Sequence, residues 1–211
     1  MKKIIAIAAA ALLFAGVNAN AQIVINAGYA HAFEKTNIDA GNHNIYSSLD
    51  GAYAGANYYY SLDNVLDGLA ILPGANLSFL AGRYALDTSI KAKEVALNIP
   101  VVASYAYEIK PDFRVVGTTG PMLQLGLSHK TTDTNGTSFD LYNKNNPQGH
   151  YRNRFNIYWG VAAAIEVSDM IRVEVGYDFG LLNLYGQVAD GLDGSLRRSF
   201  LHIGVGYLLG R

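Results

Sequence analysis

The stretch EVALNIPVVASYAYEI, residues 94–109, limits what this chain can become. Val95, Leu97, Ile99, Val101, Ala103, Tyr105 and Tyr107 fall on one face of a period of two. Glu94, Ala96, Asn98, Pro100, Val102, Ser104, Ala106 and Glu108 fall on the other. A period of two held this long is a β signal. At about 3.3 Å per residue the strand exceeds the usual five or six residues and suits the roughly 9–11 that cross a bilayer at a tilt. Pro100 lies on the smaller-residue face, where its missing donor predicts a local bulge.

The same pattern recurs seven more times. Predicted strands begin at Gln22, Leu49, Leu69, Phe113, Arg154, Ile171 and Arg198. Their connections alternate strictly between long polar stretches (34–48, 82–92, 129–153, 183–197) and short turns (63–68, 110–112, 168–170). An up-and-down barrel would collect the long loops at one end and the turns at the other. Closure would leave no unpaired edge in lipid. The predicted fold class is therefore all-β, an eight-stranded antiparallel up-and-down transmembrane β-barrel.

Composition decides which face looks outward. Charged residues are only 16% of the chain, with 22 Gly and 15 Tyr, against about 25% charged in soluble domains. The second face is mostly Gly, Ala, Asn, Ser and Thr, too small and too uncharged for a wet surface but suited to the crowded lumen of eight strands. Lipid is thus expected against the Ile/Val/Leu/Tyr face. Tyr58, Tyr60, Tyr105 and Tyr107 would form an aromatic girdle near the turns.

The N-terminus has Lys2 and Lys3, an apolar run to Val17, and Asn18-Ala19-Asn20-Ala21. That arrangement reads as a signal peptide over 1–21, cut after Ala21, with the barrel domain over 22–211. Without Lys2 and Lys3, 14 of the 16 Lys and Arg face 17 Asp and Glu, a formal charge near −3 that offers nothing to nucleic acid. The absence of cysteine excludes disulfides, thiol catalysis and a lipobox anchor.

Several motifs lie in order along this pattern: Leu72-Pro73-Gly74, Leu97-Asn98-Ile99-Pro100-Val101, Gly120-Pro121 and Gly176-Tyr177-Asp178-Phe179-Gly180-Leu181. With them the chain resembles the PorT-type, OmpA-like outer-membrane β-barrel family over essentially 22–211. The ending Tyr207-Leu208-Leu209-Gly210-Arg211 departs from the terminal aromatic residue common in such barrels. The resemblance implies an integral barrel of the Gram-negative outer membrane, but not its activity.

Candidate chemistry is sparse. Glu108 and Arg114 flank one turn and Glu166 and Arg172 another, all with lumen parity, so each Glu is expected to pair with the Arg across its ladder as a structural plug. Asn98, Gln124, Glu174, Asp178 and His202, with Asn26, form an expected lumen polar cluster. A triad of His202, Ser199 and Asp178 fails, because residues three apart on a strand face opposite ways. His31 has no spacing argument for catalysis, and His43, His129 and His150 read as solvated loop histidines without metal-ligand spacing.

No catalytic, cofactor or metal site is predicted. The expected role is structural or surface-interacting, through the loops 34–48, 82–92, 129–153 and 183–197, which face outside the cell. A lipid-modifying enzyme and a narrow channel are the alternatives. Expected partners are outer-membrane lipid and lipopolysaccharide, barrel-assembly machinery, periplasmic chaperones and an extracellular ligand at the loops, the barrel being a monomer.

Overall fold

The computed structural model describes residues 22–38, 43–83, 90–143, 152–186 and 194–209. The predicted signal peptide, 1–21, lies outside them, as does His150. The described residues form nine strands: β1 Gln22–Ile38, β2 His43–Ser61, β3 Leu69–Arg83, β4 Lys91–Lys110, β5 Phe113–Thr132, β6 Ser138–Asp140, β7 Phe155–Val167, β8 Ile171–Gly180 and β9 Gly194–Leu209. Eight are staves. The three-residue β6 folds back on the end of β5, with Lys130 opposite Asp140.

Each stave pairs antiparallel with its neighbours in the order β4-β3-β2-β1-β9-β8-β7-β5, and β4 pairs with β5 to close the ring. The barrel is an all-β, eight-stranded antiparallel structure. Residues of one parity point inward along each stave, save at the loop end of β5. Val24, Leu72, Ala96, Asn98, Gln124, Tyr158 and Phe200 are buried, while Ile25, Phe79, Val101, Leu125, Trp159, Val175 and Val205 are exposed outside. Such an outer face is stable only against an apolar medium. Tyr60, Tyr105, Tyr107 and Tyr207 are exposed near the turns, and Phe33, Phe79, Phe155, Trp159 and Phe179 ring the opposite end.

The turns follow from their residues. Asp112, Ser168 and Asp169 take left-handed backbone angles of 64°, 54° and 54°, which short polar side chains tolerate best after glycine. In the 62–68 turn, Gly68 at φ 78° donates its amide to Asp63 at 3.1 Å.

Three expectations need correction. The long loops are shorter than predicted, because β1 continues to Ile38, β2 starts at His43 and β5 reaches Thr132. Once a strand clears the apolar medium its outer face turns polar, so the hydrophobic period fades although the ladder continues.

Pro100 makes no bulge. Ile99 opposite Leu123 and Ala103 opposite Thr119 keep a single register past it. On the β3 side, pairing runs from Pro73–Val101 to Asn76–Asn98 with the intervening rungs missing. The register slips instead between Val95 and Ala96, where Ser128 and Gly126 are their partners and Leu127 is the extra residue. That slip turns His129 inward, to 1% exposure. His129 is thus a lumen residue, not a solvated loop histidine.

Candidate functional site

The lumen is divided into three storeys. At the turn end, Glu166 of β7 sits between two arginines, 2.8 Å from Arg114 and 3.3 Å from Arg172. Arg114 also reaches Asp169 at 2.7 Å, and Arg172 binds Glu174 at 2.5 Å. Glu108 is opposite Arg114 in the ladder, as its spacing predicts, yet it is exposed. The expected Glu108–Arg114 pair is therefore replaced. Arg114 turns away from it towards Glu166, which lies opposite on the other side of β5.

The predicted polar cluster separates into two networks. His202 lies between Asp178 at 3.1 Å and Glu174 at 3.5 Å, joined to the turn-end plug through Arg172. Higher up, Gln124 donates to Asn98 at 2.8 Å, Asn98 to Ser78 at 3.1 Å, and Tyr158 to Gln124 at 3.0 Å. Between them is a cavity of about 140 Å³, bordered by Asn26, Tyr53, Asn57, Asn98, Asp178 and His202 among others. Asn26 donates to Asn57 at 2.6 Å on its wall. Gly204 makes room there, since a Cβ at that position would stand 2.1 Å from the Tyr53 hydroxyl.

Sequence reasoning missed the loop-end storey. Arg198 of β9 reaches Glu94 of β4 through both terminal guanidinium nitrogens, each at 2.5 Å, and Glu34 of β1 through Nε at 2.7 Å. Arg152, held outside the staves by a bridge to Tyr185, binds Glu34 at 2.6 Å. His129 Nδ1 is 2.5 Å from Glu94, and the Tyr142 ring meets the imidazole edge-on at 5.8 Å.

Glu34, Glu94, Arg152 and Arg198 are each at most 5% exposed. Two carboxylates balance two guanidinium groups, which is the condition for keeping such charges out of water. Burial and Arg198 depress the Arg152 guanidinium, but Glu34 and Glu94 outweigh them and hold it above its ordinary value. Burial pushes the Tyr142 phenol up to about 12. The available signal was parity: Glu34, Glu94 and Arg198 all continue the lumen face of their strands.

A polar group on β1 and β2 faces outward. His31 and Asp50 are ladder partners on β1 and β2, with His31 Nδ1 2.6 Å from the carboxylate. Tyr29 donates its hydroxyl to the same Asp50 oxygen. Phe33 packs on the imidazole at 4.3 Å between ring centroids and Tyr177 lies beside Phe33. Among the described residues no group of His, Asp and Glu is arranged to hold a metal ion, and no helix is long and apolar enough to cross a membrane.

Strand order, closure and sidedness define an eight-stranded β-barrel with an apolar exterior and a polar, side-chain-filled lumen. No family model and no curated protein matches the sequence. Solved structures similar to it are outer-membrane barrels. Neisserial surface protein A is 13% identical, with 88% of this chain and 96% of that one covered at a TM-score of 0.49. Ail, the attachment invasion locus protein of Yersinia pestis, bound to the heparin analogue sucrose octasulfate, is 11% identical, with 90% and 99% covered at 0.45. The N-terminal β-barrel domain of Pseudomonas aeruginosa OprF is 12% identical, with 90% and 98% covered at 0.38.

Proposed function

We propose that this chain is an integral outer-membrane barrel of the PorT-type, OmpA-like kind that does not conduct and acts at the cell surface through its loop end. The observation that carries this reading is the ionic storey of Glu34, Glu94, Arg152 and Arg198, which fills the lumen below the loops. Charges fixed in neutral pairs occupy the path a solute would take. The apolar outer band supports membrane residence, and eight strands are too few for an open aqueous channel.

In this reading the long connections face outside the cell and carry the contacts with an extracellular ligand, while the turns face the periplasm. Lipid and lipopolysaccharide surround the band, and periplasmic chaperones with the assembly machinery deliver a monomer to it. Refolded protein in planar bilayers tests the proposal. The expected result is heat-modifiable migration on gels with no unitary conductance; stable conductance steps would replace it with the channel reading.

One observation favours a second reading, a lipid-modifying enzyme. A His–Asp pair on the lipid-facing side, with the second imidazole nitrogen unoccupied by Asp50, has the form of a base and its orienter. Phospholipid turnover by the purified barrel, abolished in His31→Asn, would establish it. Absence of turnover with both phospholipid and lipopolysaccharide removes it.

A further inference from the structure

The ladder register places like charges opposite one another at three places on the outer rim. Lys35 of β1 faces Arg197 of β9, Arg83 of β3 faces Lys91 of β4, and Lys93 of β4 faces Lys130 of β5. All six side chains are exposed. Like charges directly opposite on a sheet repel and destabilise it. Lys130 has Asp140 across its other ladder. Among the described residues, Lys35, Arg83, Lys91, Lys93 and Arg197 form no ion pair with a carboxylate. Within the lumen, by contrast, Arg114, Arg152, Arg172 and Arg198 are all paired with acids.

The position of these pairs narrows what could neutralise them. Each stands just above the apolar band on its stave: Lys35 two residues beyond Phe33, Arg83 two beyond Ala81 and four beyond Phe79, and Lys93 two before Val95. The opposite end of the barrel is predominantly acidic, with Asp63, Asp67, Glu108 and Asp112 exposed around Lys110. A soluble anion would be drawn to cations anywhere on the surface. Paired cations concentrated at one edge of a lipid-facing band match the headgroup level of one leaflet.

We propose that the three cation pairs are binding sites for the phosphate groups of a phosphorylated outer-leaflet lipid, each pair clamping one phosphate between two adjacent staves. A phosphate supplies the missing counter-charge to both partners, and its acyl chains lie along the apolar face directly below. The inference rests on the outer-membrane reading and gives that reading a lipid partner and an orientation, loop end towards the phosphate-rich leaflet.

The test places the folded barrel in nanodiscs of phosphatidylcholine alone, or with diphosphorylated lipid A, or with lipid A stripped of both phosphates. The readout is the temperature at which heat-modifiable migration is lost. Diphosphorylated lipid A should raise that temperature and the stripped form should not. Inorganic phosphate at the same concentration, in phosphatidylcholine alone, should have no effect; an equal rise would reassign the sites to a soluble anion and overturn the lipid proposal.

Arg83→Glu and Lys35→Glu each convert a repelling pair into an attracting one. In phosphatidylcholine alone these variants should be at least as heat-stable as the parent, and each should lose roughly fivefold in lipid A affinity per cation removed. If they are less stable in phosphatidylcholine, the chain's own loops supply the counter-charge and the proposal fails. An unchanged lipid A response in both variants also overturns it. A barrel that enters phosphatidylcholine but ignores lipid A phosphate loses only this inference, whereas one that enters no bilayer loses the outer-membrane reading as well.

Discussion

Arg198 and Glu94 meet across the lumen from staves on different sides of the barrel, 104 residues apart in sequence and joined by two contacts of 2.5 Å. The same arginine holds Glu34, so one guanidinium serves two buried carboxylates. Arg198→Gln therefore leaves Glu94 with His129 alone and Glu34 with Arg152 alone, where water does not reach. A loss of about 3–5 kcal/mol is expected for breaking a buried pair from one side. Denaturant titration of the detergent-folded barrel measures it; a change within 1 kcal/mol would mean that water enters this storey.

Removing both signs together has a different result. Replacement of Glu34, Glu94, Arg152 and Arg198 by Ala clears the storey without stranding a charge. Conductance should then appear in planar bilayers where the parent protein has none. A quadruple variant that folds and stays silent would place the barrier elsewhere in the lumen, at the turn-end plug.

At the turn end the two glutamates are predicted to behave unequally. Glu166→Gln takes one counter-charge from each of Arg114 and Arg172, which keep Asp169 and Glu174, and should cost about 1.5–3 kcal/mol. Glu108→Gln changes an exposed residue and should stay within about 0.5 kcal/mol. Melting curves of the two variants, side by side, check the asymmetry. Equal losses would restore the Glu108–Arg114 pair that the ladder spacing suggests.

The cavity wall offers a test of packing. A methyl group at position 204 would collide with the Tyr53 hydroxyl, so Gly204→Ala should destabilise by about 1–3 kcal/mol. Adding Tyr53→Phe removes the colliding oxygen and should recover part of that loss. No recovery in the double variant would trace the cost to the nearby Ala27 carbonyl, 2.9 Å from the same position.

Much of the fold was legible because alternation is a local property. Val95 to Tyr107 reads as a stave with one lipid-facing side, and its parity holds over those residues in the structure. Networks are not local. Nothing in the residues around Glu34 says that Arg198, 164 positions later, will reach it, and the polar sequence there resembles a loop. His129 was hidden by a different cause: one extra residue, Leu127, reverses the parity that the preceding residues set. Glu108 was misplaced because an arginine between two glutamates chooses by burial, and the ladder alone does not tell which side is deeper.

The seam between β1 and β9 sets the order in which this barrel can be made. Every other stave pairs with one close to it in sequence, whereas Ile23 lies opposite Leu209. Bringing those ends together closes the longest loop in the molecule, a step that contributes nothing until the last strand is present. Glu34 and Arg198 meet across that same seam. Until it forms, Glu34 and Arg198 lack each other, so the contact that closes the ring also completes the neutralisation of its mouth.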